Sequence, residues 1–265
     1  MKRIIFYILA IILLASCGDY QKILKSTDPE LKYNAAVDFF NQKEFAKAQS
    51  LFDNVTSYYR GTERSEDILN YLCRCYVGQK LYASAIEYYQ TYIRNYPKGR
   101  HIIEARYMIG YCYYIESPDA RLDQTATNEA IRYLNDFLDL YPQSDYAADA
   151  RKYLDEMTDK LVQKELYNAQ LYYNLGTYLG NNYQSAIVVA NSALKKYPNT
   201  RYREELCYII LQSKYKEAEL SVAEKRQERL QDAADEYYSF ITEFPDSKYR
   251  KNAERIHTQL DKIMK

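Results

Sequence analysis

The chain has 265 residues with 36 basic and 36 acidic side chains, a balance that leaves no electrostatic footprint for DNA, RNA or an anionic membrane surface. Seven glycines and six prolines are too few for a sheet protein built on tight turns and suit a helical one. Tyrosine is the outlier, 32 residues against no tryptophan, and its apolar body with one polar tip fits helix–helix grooves, so most tyrosines are expected in a helical core.

The N-terminus reads as a processing signal. Lys2-Arg3 is a short basic region and Ile4–Leu14 an apolar core. That core is too short to span a hydrocarbon layer of roughly 30 Å. Leu14-Ala15-Ser16-Cys17 is a cleavage box ending in cysteine. The box resembles the bacterial lipoprotein lipobox. The resemblance implies removal of residues 1–16, a thioether-linked diacylglycerol on Cys17 and an acyl group on its new amine. Each buried methylene contributes about 0.8 kcal/mol and two chains already anchor stably, so the protein is expected to stay on a membrane. The competing reading is a secreted protein with an incidental cysteine. Residues 17–29 follow as a polar tether, in which Ser26-Thr27-Asp28-Pro29 supplies a cap and a first-turn proline for the first helix.

Beyond the tether one unit recurs. Ala85 leads to Tyr96-Pro97, Ala130 to Tyr141-Pro142, Ala186 to Tyr197-Pro198 and Ala233 to Phe244-Pro245, with the proline twelve residues after the alanine each time. Ala48 to Tyr59-Arg60 is a weaker copy. Proline has no N–H and disfavours helix in the residue before it, so each Tyr-Pro ends a helix. Ser144, Thr200 and Ser247 (Gly99 in one copy) stand two residues later and are expected to cap the next helix. Then come His101, Tyr146, Tyr202 and Tyr249, rings that can pack back on the turn. Four and seven places after the alanine stand Phe52/Val55, Tyr89/Tyr92, Leu134/Phe137, Ala190/Ala193 and Tyr237/Phe240, one face of a helix. The alanine is small because the paired helix approaches there. The predicted fold is all-α: a tetratricopeptide-repeat α-solenoid over residues 30–265, with about five helix–turn–helix repeats, a capping helix, and a concave and a convex side.

Repeat one is Glu30–Arg60, with Tyr33, Ala36, Val37, Phe39 and Phe40 on its first helix and a second helix from about Phe45. Repeat two, about Glu66–Pro97, fits the 34-residue pattern best, with Leu69, Leu72, Cys73 and Tyr76 before Tyr82, Ala85, Tyr89 and Tyr92. In repeat three the distance from the small residue Gly110 to Ala130 is 20, against 12 from Cys73 to Ala85, which predicts a surface loop around Ser117-Pro118-Asp119. From Tyr146 to Leu179 the pattern allows one extended helix or two stacked ones, before Tyr183, Ala186 and Ala190 of repeat four. In repeat five Tyr215–Arg229 is charged and lacks Gly and Pro, so its two helices are expected to project beyond the body. Tyr249–Met264 is a polar-faced closing helix.

Cys73, Cys75, Cys112 and Cys207 read as buried free thiols, since Cys73 and Cys75 point to different sides of one helix. His101 and His257 have no metal-ligand spacing, and no phosphate loop or nucleophile elbow is present. Neither an enzyme nor a cofactor beyond the acyl groups is expected.

A lipobox, about 230 residues of divergent repeats and recurrent Tyr-Pro-x-Ser-x-Tyr junctions resemble the BamD family, the lipoproteins of the outer-membrane β-barrel assembly machinery. The closest stretch is Tyr141-Pro142-Gln143-Ser144-Asp145-Tyr146, continuing through Asp149-Ala150, Leu154, Asp159, Leu161 and Glu165. The resemblance implies a periplasm-facing lipoprotein of the bacterial outer membrane. Its partners would be the barrel-forming subunit, met through C-terminal repeats, other assembly lipoproteins, and unfolded outer-membrane proteins received by N-terminal repeats through their C-terminal signal. The charged extension in repeat five and the tyrosine content depart from the family pattern.

First-helix positions facing away from the partner helix are expected to line the concave side: Tyr33, Val37 and Phe40, then Asn70 and Arg74, then Tyr107, Tyr111 and Tyr114. Rings, an amide and one cation suit an extended peptide ending in an aromatic residue and a carboxylate, with Arg74 on the carboxylate. For the barrel-subunit contact the candidate region is Tyr197–Tyr215, with Arg201 and Arg203. Two other functions fit the same scaffold: a periplasmic repeat adaptor serving cell-wall synthesis or division, and a glycan-binding lipoprotein, against which the lack of a tryptophan platform counts.

Overall fold

Ala48, Ala85, Ala130, Ala186 and Ala233 have no exposed surface, and each marks the point where a second helix lies close against its neighbours. The computed structural model describes residues 20–265; the signal segment 1–16, Cys17 and the first residues of the tether lie outside them. After a helical stretch at residues 20–25 come α1 (Pro29–Asn41), α2 (Phe45–Thr56), α3 (Glu63–Gly78), α4 (Tyr82–Asn95) and α5 (Ile102–Glu116). Then follow α6 (Thr125–Leu140), α7 (Ala147–Leu175), α8 (Asn182–Lys196), α9 (Arg203–Glu219), α10 (Ala223–Glu243) and α11 (Arg250–Met264). No strand occurs among the described residues, and none of their helices is long and apolar enough to cross a membrane. The helices fall into five pairs, α1/α2 to α9/α10, with α11 closing the array, as the alanine spacing predicts.

The chain forms two compact units. Unit 1 runs through Ser117 and takes up Thr125–Leu154; unit 2 is Pro118–Gln124 with Asp155–Lys265. In unit 1 the apolar faces of the second helices supply the core: Leu51, Phe52 and Val55 on α2, Tyr89 and Tyr92 on α4, Leu134 and Phe137 on α6. Burying one such side chain contributes about 1.5–3 kcal/mol. α5 reaches α6 closely because Gly110 lies under Leu134, where an added Cβ would come within 2.8 Å of Leu134 Cδ2. In unit 2 one cluster joins Val162 and Ala169 of α7 to Ala186, Ile187 and Ala190 of α8 and Leu206, Ile209 and Ile210 of α9. A second joins Leu211 and Tyr215 of α9 to Ala233, Tyr237 and Phe240 of α10 and Ile256 and Leu260 of α11.

Two kinds of turn alternate. Within pairs one and two a lysine two residues past the first helix lies in the left-handed region, Lys43 at φ 62° and Lys80 at φ 61°. The next N–H reaches back five residues, Glu44 to Phe39 at 2.8 Å and Leu81 to Tyr76 at 2.9 Å, which satisfies carbonyls the helix end leaves open. Between pairs, proline stops the helix and a short turn follows. Here the expected caps shift by two residues. Thr200 Oγ1 and Ser247 Oγ accept the N–H of Tyr202 and Tyr249 at 3.2 and 2.9 Å, but the helices begin only after those rings. The hydroxyl shapes the turn, and the aromatic residue is the cap position.

Other expectations are resolved or corrected. The tether is folded from Tyr20 onward: Tyr20 meets Phe39 edge-on at 5.5 Å, and Ile23 and Leu24 pack on the α1/α2 core. Asp28 caps α1, accepting the N–H of Glu30 at 2.9 Å and of Leu31 at 3.2 Å, with Pro29 in the first turn. Ala147–Leu175 is one helix of 29 residues. The loop after Ser117 is not all surface, since Ala120 and Gln124 are buried and Gln124 Nε2 donates to Asp119 O at 2.9 Å. The charged middle of pair five does not project as two bare helices. Tyr215, Glu217 and Ala218 are buried, and Glu217 accepts from Asn181 Nδ2 at 2.8 Å and pairs with Arg229 at 2.9 Å. Finally, most described tyrosines are half-buried rather than core; Tyr89 and Tyr92 are among the few with no exposed surface.

Candidate functional site

On the first helices of unit 1, rings and two cations, Arg64 and Arg74, lie in a row. Arg74 on α3 is its centre. Its guanidinium stands 5.0 Å above the Phe40 ring of α1, and its Nε is 3.7 Å from Glu104 Oε1 of α5. The side chain is 46% exposed and makes no hydrogen bond with the described residues. Phe40 also meets Tyr71 edge-on at 5.0 Å, and Tyr71 lies flat on Phe52 at 4.8 Å, which ties the row to the core. Burial and the Glu104 carboxylate push the Tyr146 phenol up while Arg74 pulls it down, so that ring joins the same electrostatic neighbourhood.

From there the row continues through tyrosines. Tyr107 stacks on Tyr146 at 4.6 Å and 19°, Tyr111 lies 5.7 Å from Tyr153, and Tyr114 stacks on Tyr153 at 4.2 Å. Burial raises the phenols of Tyr107 and Tyr111, so these two rings are neutral donors at neutral pH. Tyr33 lies at the other end, edge-on to Phe52 and Tyr59 at 6.0 and 5.7 Å, with the Arg64 guanidinium 4.8 Å above it. Arg64 in turn is bound to Glu30, whose carboxyl it holds below its ordinary value.

The sequence candidates are thus brought to one unit but not to equal exposure. Arg74 is exposed; Tyr33, Val37, Phe40, Tyr111 and Tyr114 are half-buried, the first three of them against the α1/α2 core. Asn70 and Tyr107 are buried, at 4% and 6% exposure, and support the row from beneath. Sequence reasoning missed Tyr71, Glu104 and Tyr153. Tyr153 had a signal, standing seven residues after the turn ring Tyr146 on the same helix face.

In unit 2 the two arginines of the candidate partner region are both engaged. Arg201 Nε lies 3.1 Å from Asp159 Oδ2 and its side chain is 66% exposed. Arg203 is bound to Glu243, with Nη2 donating to Oε2 at 3.3 Å. Residues Leu206–Leu211 of the same region are buried, so a partner can reach the turn but not that stretch of the helix.

The remaining chemistry is structural. Cys73, Cys75, Cys112 and Cys207 are free and buried, and burial pushes Cys75 and Cys112 up to about 12 and Cys207 to about 11. Such thiols are inert. His101 precedes α5, its N–H donating to the Tyr92 hydroxyl at 3.0 Å. Among the described residues no group of His, Cys, Asp and Glu could hold a metal ion.

The family model described as outer membrane lipoprotein (YfiO) matches residues 25–180 and 175–264, and one described as prokaryotic membrane lipoprotein lipid attachment site matches residues 1–17. A protein of Caulobacter vibrioides named outer membrane protein assembly factor BamD is 28% identical over 185 residues, covering 69% of this chain and 59% of that protein. The chain thus spans about three fifths of that relative's length. The protein of the same name from Neisseria gonorrhoeae is 24% identical over 272 residues, covering 96% of this chain and 95% of its own. A solved TPR2AB-domain:pHSP90-complex of yeast Sti1 aligns with a TM-score of 0.40 at 12% identity, over 88% of this chain and 98% of that one. That likeness is loose, and the repeat assignment rests on the helix pairs themselves. With the family model covering nearly all the described residues, the chain belongs to the YfiO/BamD family of outer membrane lipoproteins.

Proposed function

We propose that this protein is a lipid-anchored, non-enzymatic scaffold that helps assemble β-barrel proteins in the bacterial outer membrane. Acyl groups on Cys17 would hold it on the inner face of that membrane, as the lipid attachment match supports. Unit 1 receives an unfolded barrel protein by its C-terminal segment. The observation that carries this reading is Arg74: an exposed guanidinium with unspent donors, resting on Phe40 and followed by the rings of Tyr111, Tyr114 and Tyr153. A terminal carboxylate can displace the loose Glu104 contact and take bidentate hydrogen bonds, while a preceding aromatic residue lies on the tyrosines.

Unit 2 docks on the barrel-forming subunit through the turn that carries Arg201 and Arg203. The names of the relatives, assembly factors all, support the process; the exposed Arg201 side chain supports the place. Photocrosslinking tests the substrate half. A photoreactive residue at Tyr111 is expected to capture the C-terminal segment of an unfolded barrel protein in membranes, and the same residue at the exposed Tyr58 is not. Co-purification from solubilised membranes tests the other half: Arg201→Glu with Arg203→Glu is expected to reduce recovery of the barrel-forming subunit.

A further inference from the structure

α9 repeats the ring pattern of α5 with one change. Tyr208, Gln212 and Tyr215 stand at the same spacing as Tyr107, Tyr111 and Tyr114. Tyr208 stacks on Tyr249 at 4.2 Å and 9°, as Tyr107 stacks on Tyr146. Seven residues after the turn ring, however, α7 carries Tyr153 and α11 carries Ile256. In unit 1 the rings of Tyr111, Tyr114 and Tyr153 fill the space between helices. In unit 2 Gln212 and Ile256 do not, and a cleft of about 280 Å³ remains between α7, α9 and α11.

That cleft is lined by donors. Tyr173 comes from α7, Gln212 and Lys216 from α9, and Arg255 and Gln259 from α11, with Tyr208, Tyr215 and Ile256 as its apolar part. Lys216 Nζ lies 2.7 Å from Glu219, which also accepts from the Tyr215 hydroxyl at 2.9 Å. Arg255 is exposed and in no ion pair among the described residues. Lys216 is paired with Glu219, and Arg255 has no such partner, so one carboxylate would complete the site. A planar guanidinium with two side-chain amides suits a carboxylate, and the ring of Tyr173 gives neighbouring peptide residues an apolar seat.

We propose that the α7–α9–α11 cleft is a second peptide site, which binds an extended protein segment through one acidic side chain. It is separate from the Arg74 row and does not depend on the role given to it above.

Fluorescence anisotropy with a dye-labelled peptide, acetyl-Ser-Tyr-Glu-Tyr-Ser-amide, tests this on the mature protein. Saturable binding is expected, with affinity lower by about tenfold or more when glutamine replaces the peptide's glutamate and when the protein carries Arg255→Gln. Arg74→Glu is expected to leave this binding unchanged. Gln212→Tyr with Ile256→Tyr rebuilds the filled arrangement of unit 1 and should abolish binding while the helical circular dichroism is retained. Absence of binding, equal affinity for the two peptides, loss through Arg74→Glu instead of Arg255→Gln, or displacement by equimolar inorganic phosphate would each overturn the proposal.

Discussion

Glu66 on α3 and Tyr92 on α4 are hydrogen-bonded side chain to side chain, and the same carboxylate oxygen accepts the N–H of Arg100 in the turn that follows. Tyr92 in turn accepts the His101 N–H at 3.0 Å, so both helices of the second pair and the start of the third hang on one carboxylate–phenol contact. Tyr92→Phe removes that contact and leaves a turn N–H without its acceptor. A loss of about 1–2 kcal/mol is expected in urea or thermal unfolding.

The same contact gives a pH dependence. Burial works against charge on Glu66, but the Tyr92 hydroxyl, the Arg100 N–H and the Arg100 guanidinium outweigh it, so its carboxyl lies below the ordinary 4.5. A group depressed on folding contributes stability that is full above its unfolded value and is lost as pH falls through the folded one. Stability should therefore decline below pH 4.5, and the decline should be shallower in Glu66→Gln. Denaturation midpoints between neutral and acid pH measure the difference.

Gly110 is expected to resist even alanine. A methyl there gains up to about 1 kcal/mol in helix propensity but must push Leu134, which has no exposed surface, at a cost of about 1–3 kcal/mol. Gly110→Ala should be net destabilising by about 1 kcal/mol. A midpoint shift in denaturant at unchanged slope would report it.

Lys80 gives the opposite sign. Its left-handed backbone is one that glycine adopts without strain, and its N–H already donates to Val77 O at 2.9 Å. Lys80→Gly should stabilise by about 1 kcal/mol, and Lys43→Gly by a similar amount, with the two effects adding because the turns are separate. Paired unfolding curves of the single and double variants check both sign and additivity.

These variants also mark how far the sequence could be read. Period and punctuation carry the fold: Ala130, Leu134 and Phe137 predict a buried face, Pro142 predicts the stop, and both are found. What spacing could not convey is which side chain from one helix meets which from another. Glu66 with Tyr92, Arg74 with Phe40 and Glu104, and Tyr20 with Phe39 are tertiary pairs of common residue types. The charged run of α9 and α10 misled for the same reason. Glu217 and Arg229 read as solvated charges until each is seen as the other's partner. The cap residues misled more locally, since a threonine or serine hydroxyl two residues early serves the turn as well as a cap serves the helix.

The substrate role of Arg74 is tested most directly by titration calorimetry of the mature protein with a decapeptide that ends in phenylalanine and a free carboxylate. Wild type is expected to bind it, and Arg74→Glu to bind at least tenfold more weakly, about 1.4 kcal/mol, with a similar loss for the peptide amide. Equal affinity of wild type and Arg74→Glu for the free-carboxylate peptide would contradict the account.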